Sequence, residues 1–217
     1  MANQMTLNDI LHEIDRYRIA SADLLLKRLP METQEALLKK IEHHKEFELS
    51  QVASGVSCIY RRSRKPPNEL SKAKFVAIHS CCAESTNRRR LLNKSDIQKY
   101  FPSFARVGLP FGYTIDLSSE QPVLSLLRVD TRLDSVDRIR QHGFALLKRH
   151  ASQPAFNVLI RRNQFEVCFL VATQSKAQSI FLSLTKQRQT PTSINAMHVP
   201  VLLELLKPLQ HCEHSPT

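Results

Sequence analysis

Glycine is scarce in this chain of 217 residues. The four present, Gly55, Gly108, Gly112 and Gly143, do not cluster. Neither a Gly-x-Gly-x-x-Gly fingerprint nor a Gly-Lys-Ser/Thr phosphate loop exists, which excludes most nucleotide-dependent enzymes. Long apolar runs are missing too. The longest clean one, residues 167–172, has six residues, against the ~20 that a membrane-spanning helix needs. Met-Ala-Asn-Gln-Met-Thr at the start has no basic region followed by an apolar one, so no export signal is expected. The five cysteines (Cys58, Cys81, Cys82, Cys168 and Cys212) are odd in number and contain no Cys-x-x-Cys pair. That argues against a disulfide framework or structural zinc and for a cytoplasmic location. His79 with Cys81 and Cys82 groups ligand-type side chains, but a four-ligand site needs partners that this spacing does not supply. No metal or cofactor is implied.

What the chain does have is positive charge. Lys and Arg number 31 against 20 Asp and Glu, a formal charge of +11. An excess of that size points to a polyanionic partner. With 42% apolar and 24% charged residues, the composition is that of a folded protein.

Residues 1–65 read as three short helices and a hairpin. Leu7, Ile10, Leu11 and Ile14 recur at helical spacing behind Thr6 as a cap. Ser21 caps a second helix carrying Leu24, Leu25 and Leu29, closed by Pro30. Thr33 caps a third, with Leu37, Leu38 and Ile41 on its buried stripe. The period then changes to two, and residues 47–49 and 56–60 read as strands joined around Ser54-Gly55. Three helices and a hairpin form the order of a winged helix-turn-helix, whose third helix enters the major groove. Thr33 and Gln34 would reach base edges, and Lys39, Lys40 and His43 would share the face opposite the apolar stripe. Arg61-Arg62-Ser63-Arg64-Lys65 would meet phosphates beyond the wing.

Residues 66–106 read as a basic connection that starts with a Pro66-Pro67-Asn68 hinge. It carries a strand-like run at 75–78, a backbone-binding track at Arg88, Arg89 and Arg90, and a capped turn from Ser95 to Phe101. Residues 107–217 alternate: strands at 111–117 and 123–129, a helix at 133–149, and strands at 156–160 and 166–172 around a hairpin loop. A helix at 175–186 with Phe181 buried and a final helix at 199–209 follow. The expected class is therefore α+β or α/β, a mixed sheet covered by helices.

Two acids end strands in this half, Asp116 and Asp130, with Arg132 just beyond. Acid, hairpin, then acid-x-basic is the spacing of restriction-endonuclease-like nucleases, in which paired carboxylates hold Mg²⁺. A guanidinium does not readily lose a proton, so Arg132 suits a degenerate, inert form of that fold, kept for dimerisation or as a protein platform. Asp130 also fits as a cap for the helix that follows.

The winged helix, the basic connection and Val129-Asp130-Thr131-Arg132 ahead of a helix together resemble the replication-relaxation proteins of plasmids and integrative elements. Arg128 stands where that family's strand commonly carries an acid. The resemblance implies a non-enzymatic double-stranded DNA-binding protein, a transcription regulator or a transfer or replication accessory of a mobile element. A homodimer or a protein partner would engage the carboxy-terminal half. The alternatives are a Mg²⁺-dependent nuclease using Asp116 and Asp130, and an adaptor in a conjugation or defence complex.

Overall fold

The computed structural model describes residues 7–27, 29, 31–52, 54–62, 65–84, 89–118, 120–185 and 193–212. The chain is mixed α and β, and it divides into two compact units. Residues 1–80 and 201–217 form the first, and residues 81–200 form the second.

The first unit runs α1 (Leu7–Tyr17), β1 (Ile19–Ser21), α2 (Ala22–Leu26), α3 (Met31–His43), β2 (Phe47–Gln51) and β3 (Ser57–Arg61). Helix α4 (Glu69–Glu84) belongs to it through Ser80, and α9 (Pro200–Cys212) from Val201 onward. The strands pair antiparallel in the order β1-β3-β2. Successive strand residues face opposite sides, and both sides of this sheet are buried. Ala20, Ile59 and Phe47 face Ile10, Ile14, Leu25, Leu37 and Ile41 of the first three helices. Ile19, Cys58 and Tyr60 face Ala73 and Val76 of α4 and Leu205 of α9. Complete burial of each such aliphatic side chain contributes about 1.5–3 kcal/mol.

Local signals explain the helix starts. Ser21 accepts from the Leu24 N–H at 3.4 Å and caps α2. Asn68 accepts from the Ser71 N–H at 2.8 Å ahead of α4. The Pro66-Pro67-Asn68 stretch therefore leads into a helix cap. Residues 75–78 lie inside α4 and are not a strand, because a short apolar run fits a buried helix face equally well. Helix α3 starts at Met31, which places Thr33 within its first turn and not at the cap. Thr6, Pro30, Arg64, Arg88 and Lys186 lie outside the described residues.

The second unit holds β4 (Arg89–Leu91), α5 (Lys94–Tyr100), a 3-10 turn (Pro102–Phe104), β5 (Tyr113–Asp116), β6 (Val123–Val129), α6 (Val136–Ala151), α7 (Pro154–Arg161), β7 (Phe165–Val171), α8 (Gln174–Thr185) and β8 (Ile194–His198). Its five-stranded sheet is mixed, in the order β4-β5-β6-β7-β8. The β4–β5 and β5–β6 pairs are antiparallel, and β6, β7 and β8 are parallel. Tyr113, Ile115, Leu124, Leu126, Val167, Phe169 and Ile194 line one face and pack against α5, α6, α7 and α8. Helix α6 approaches so closely that a Cβ on Gly143 would lie 3.0 Å from Ile194 Cδ1 and 3.3 Å from Phe169 Cε2.

Residues 66–106, expected as a connection, thus supply α4, β4 and α5, the last opened by a capping box between Asn93 and Asp96. Residues 156–160 are helical, not a strand, because Pro154 opens α7 at the position where a missing N–H costs nothing. The turn after α7 joins helix to strand, with Asn163 at a φ of 56°, so no hairpin exists there. Phe181, expected in the core, is 61% exposed on α8. Ser135, not Asp130, caps α6, accepting from the Arg138 N–H at 3.3 Å. Among the described residues, no helix is long and apolar enough to cross a membrane.

Candidate nucleic-acid interface

The outward side of α3 is open. Glu35, Ala36, Lys39, Lys40, Glu42 and His43 are all exposed, while Leu37 and Ile41 are buried beneath them. Two of the expected reader side chains hold the helix in place instead. Gln34 Nε2 donates to the Leu29 carbonyl at 2.8 Å, which anchors the first turn of α3. His43 Nδ1 donates to the Lys39 carbonyl at 2.7 Å. Thr33 is half-buried, and Lys39 and Lys40 are exposed, with no carboxylate holding their charges among the described residues.

The basic run begins at the open end of the hairpin, where β3 ends in Arg61. The hairpin tip is the uncharged Ser54-Gly55 turn, with Gly55 at a φ of 85°. Arg61 pairs with Phe47 at the open end of the ladder, four register positions from Ser57, or roughly 13 Å away. There Arg61 clasps Asp15, with Nε 2.7 Å from Oδ1 and Nη2 2.8 Å from Oδ2, and Nη1 lies 3.5 Å from Glu46 Oε2. Its charge is neutralised within the chain. Arg62 and Lys65 stay exposed, and so does Lys45 between α3 and β2.

The expected arginine track at 88–90 also dissolves. Arg89 is buried on one face of the second sheet, where Nη2 lies 2.8 Å from Asp116 Oδ2 and 2.9 Å from Glu166 Oε1. Nη1 donates to Met197 Sδ at 2.9 Å, and Ser125 Oγ donates to Glu166 Oε1 at 2.5 Å. Burial would raise the Asp116 carboxyl, but the Ser118 hydrogen bond and Arg89 hold it below the ordinary aspartate value. Burial likewise raises the nearby Cys168 and Cys81 thiols, the latter to about 12, so neither is a ready thiolate. Arg90 pairs with Asp96 at 2.7 Å.

Asp116 and Asp130 are not brought together. Asp130 is buried, 2.5 Å from Lys176 Nζ, and accepts from the Asp134 N–H at 2.9 Å. It ties the start of α8 to the loop before α6, and Arg132 beside it is exposed. Among the described residues, no three His, Cys, Asp or Glu side chains could hold a metal ion. His79, buried, accepts the Ser21 N–H on Nδ1 at 3.1 Å, a structural bond and not a ligand's posture.

The charge excess is uneven. Residues 81–200 contain 17 Lys and Arg against 8 Asp and Glu, so this unit carries +9 of the +11 total. The Lys176–Asp130 pair, 46 residues apart, had no sequence signal at all. Comparison with protein-family models, curated proteins and solved structures returns no match.

Proposed function

We propose that the chain is a double-stranded DNA-binding protein without catalytic activity, whose first unit is a winged helix that presents α3 to the major groove. The observation that supports this most is topological. The order α1-β1-α2-α3-β2-β3, with β3 central in a three-stranded antiparallel sheet, leaves the outer side of α3 exposed while its inner stripe is fully packed. A helix at the rim of such a module has the diameter to enter a major groove. Lys39 and Lys40 are then the α3 side chains free to meet DNA, and Lys45, Arg62 and Lys65 meet phosphates at the open end of the hairpin. Arg61 and Gln34 act on the fold and only indirectly on DNA.

The test starts from a duplex that the intact chain selects out of a random pool. Lys39→Glu with Lys40→Glu should weaken binding to that duplex at least tenfold without lowering thermal stability. Unchanged binding would remove α3 from the interface.

A second reading, docking of a protein partner, is favoured by α8. Phe181 and Leu182 are 61% and 56% exposed beside a shallow groove of about 370 Å³ that also takes in Gln178 and Asn195. Exposed apolar clusters of this kind mark contact surfaces. Phe181→Ser should abolish a partner complex or a homodimer seen by light scattering and leave DNA binding intact.

A further inference from the structure

We infer that the second unit carries its own phosphate-binding surface, formed by Arg128, Lys148, Arg149, Arg161 and Arg162, which grips the nucleic-acid backbone without reading sequence. The inference rests on the DNA-binding reading above and adds a contact surface to it. The half of the chain expected to dimerise or dock proteins then becomes the principal electrostatic anchor.

The argument begins with which charges are already answered. Six of the eight carboxylates in residues 81–200 sit in ion pairs: Asp96 with Arg90, Asp116 and Glu166 with Arg89, Asp130 with Lys176, Asp134 with Arg138, and Asp137 with Arg140. Only Glu84 and Glu120 remain, both exposed. Arg128, Lys148, Arg149, Arg161 and Arg162 are all exposed, and no carboxylate lies within ion-pair distance of any of them among the described residues. Five such cations gain nothing inside the protein and repel one another, so the unit is electrostatically incomplete until an anion arrives.

They also share one side of the sheet. Arg128 lies on the same face of β6 as Leu124 and Leu126, whose side chains face the helices, so it leaves β6 on the α6–α7 side. Tyr113 lies opposite Leu126, two residues before Arg128 on β6, and its hydroxyl donates at 2.7 Å to Nε2 of His150, the neighbour of Arg149 on α6. Burial raises the Tyr113 phenol and both arginines pull it back; burial lowers the His150 imidazole and both arginines lower it further. Lys148 adjoins Arg149 in the last turn of α6, and α7 ends in Arg161 and Arg162. Gln164, just past them, accepts the Leu124 N–H at 2.8 Å and so fixes this turn at the start of β6. Arg128 lies four residues further along that strand, or roughly 13 Å.

That length spans about four base pairs of duplex, enough for several phosphates of one strand. Four of the five cations are arginines, whose planar forks suit phosphate oxygens better than a lysine's point charge does. An underlying core of Phe156, Phe165 and His150, with ring centres 4.6–5.2 Å apart, makes the platform rigid.

The experiment measures binding of the intact chain to a 30-base-pair duplex of arbitrary sequence across a salt series. Two variants run in parallel: Arg128→Gln/Arg149→Gln/Arg161→Gln/Arg162→Gln, and Lys39→Gln/Lys40→Gln. Each cation that neutralises a phosphate contributes about −0.9 to the slope of log K against log salt. The fourfold variant should lose about 3 to 4 units of slope and bind at least a hundredfold more weakly near 0.1 M salt, with an unchanged melting temperature. Replacing the same four by Lys should restore most of the slope. If the native chain binds and the fourfold variant keeps its slope, the second surface is refuted and the α3 reading stands. A lost slope in the fourfold variant beside an unaffected α3 variant supports the second surface and refutes α3. No binding of any duplex by the native chain overturns both.

Discussion

Asp116 and Asp130 stand at opposite ends of one strand pair. Asp116 is in register with Val123, at the turn that joins β5 to β6, whereas Asp130 follows Val129 at the far end of β6. Seven residues of extended chain separate the two ends, or roughly 23 Å. Carboxylates that share a divalent ion must each approach it to within about 2.0–2.6 Å. The two therefore cannot form one metal site. With Mg²⁺ or Mn²⁺ present, supercoiled DNA should remain uncut by the native chain and by Asp130→Asn alike. Metal-dependent nicking that Asp130→Asn abolishes would contradict this geometry.

Arg89 is a structural cation. It is buried, and it faces Asp116 and Glu166 across the sheet. Removing one partner of a buried ion pair leaves an uncompensated charge and costs about 3–5 kcal/mol. Arg89→Met should lower stability by about that amount in urea unfolding. Adding Asp116→Asn and Glu166→Gln to it should recover part of the loss. An Arg89→Met protein as stable as the native one would refute the assignment.

His150 makes stability depend on pH. Its Nδ1 donates to the Leu146 carbonyl at 2.7 Å, so Nε2 is left to accept from Tyr113, and the ring is neutral. Burial, then the charges of Arg149 and Arg128, lower its pKa, against the opposing Leu146 hydrogen bond. Below about 6.5 the unfolded imidazole takes up a proton that the folded one resists. Its contribution is thus fully present above that pH and declines as the pH falls towards the lowered folded value. Urea midpoints at pH 7.5 and 5.5 should differ more for the native chain than for His150→Gln. An equal difference would show that His150 does not set this dependence.

Gly143 is where α6 meets the sheet. A bulky side chain there would press on Ile194 and Phe169, and overpacking of this kind costs about 1–3 kcal/mol. Gly143→Val should shift the unfolding midpoint down accordingly; no shift would mean that the helix is free to move outward.

The first three helices and the β2–β3 pair were legible because each combines a cap or a clear period with a stripe that ends up buried. Strands β1, β4 and β8 were not. The first two have three residues each, too few for alternation to register, and β8 has half-buried residues on both faces. Residues 75–78 and 156–160 were misread for a shared reason: a short apolar run does not distinguish a strand from the buried side of a helix. The basic residues were visible as composition, but pairing decided their roles. Arg61, Arg89 and Arg90 meet acids distant in sequence from most of them, and only folding brings Asp15 to Arg61 or Glu166 to Arg89. Among the described residues, Arg62, Lys65, Lys148, Arg149, Arg161 and Arg162 meet none.

Binding of the intact chain to duplex DNA, followed as salt rises fourfold from 0.05 M, addresses the whole account at once. Phosphate contacts by four or more of the exposed cations predict a drop in affinity of about a hundredfold or greater. An affinity that holds steady across that range, or no binding to duplex at its lower end, would contradict it.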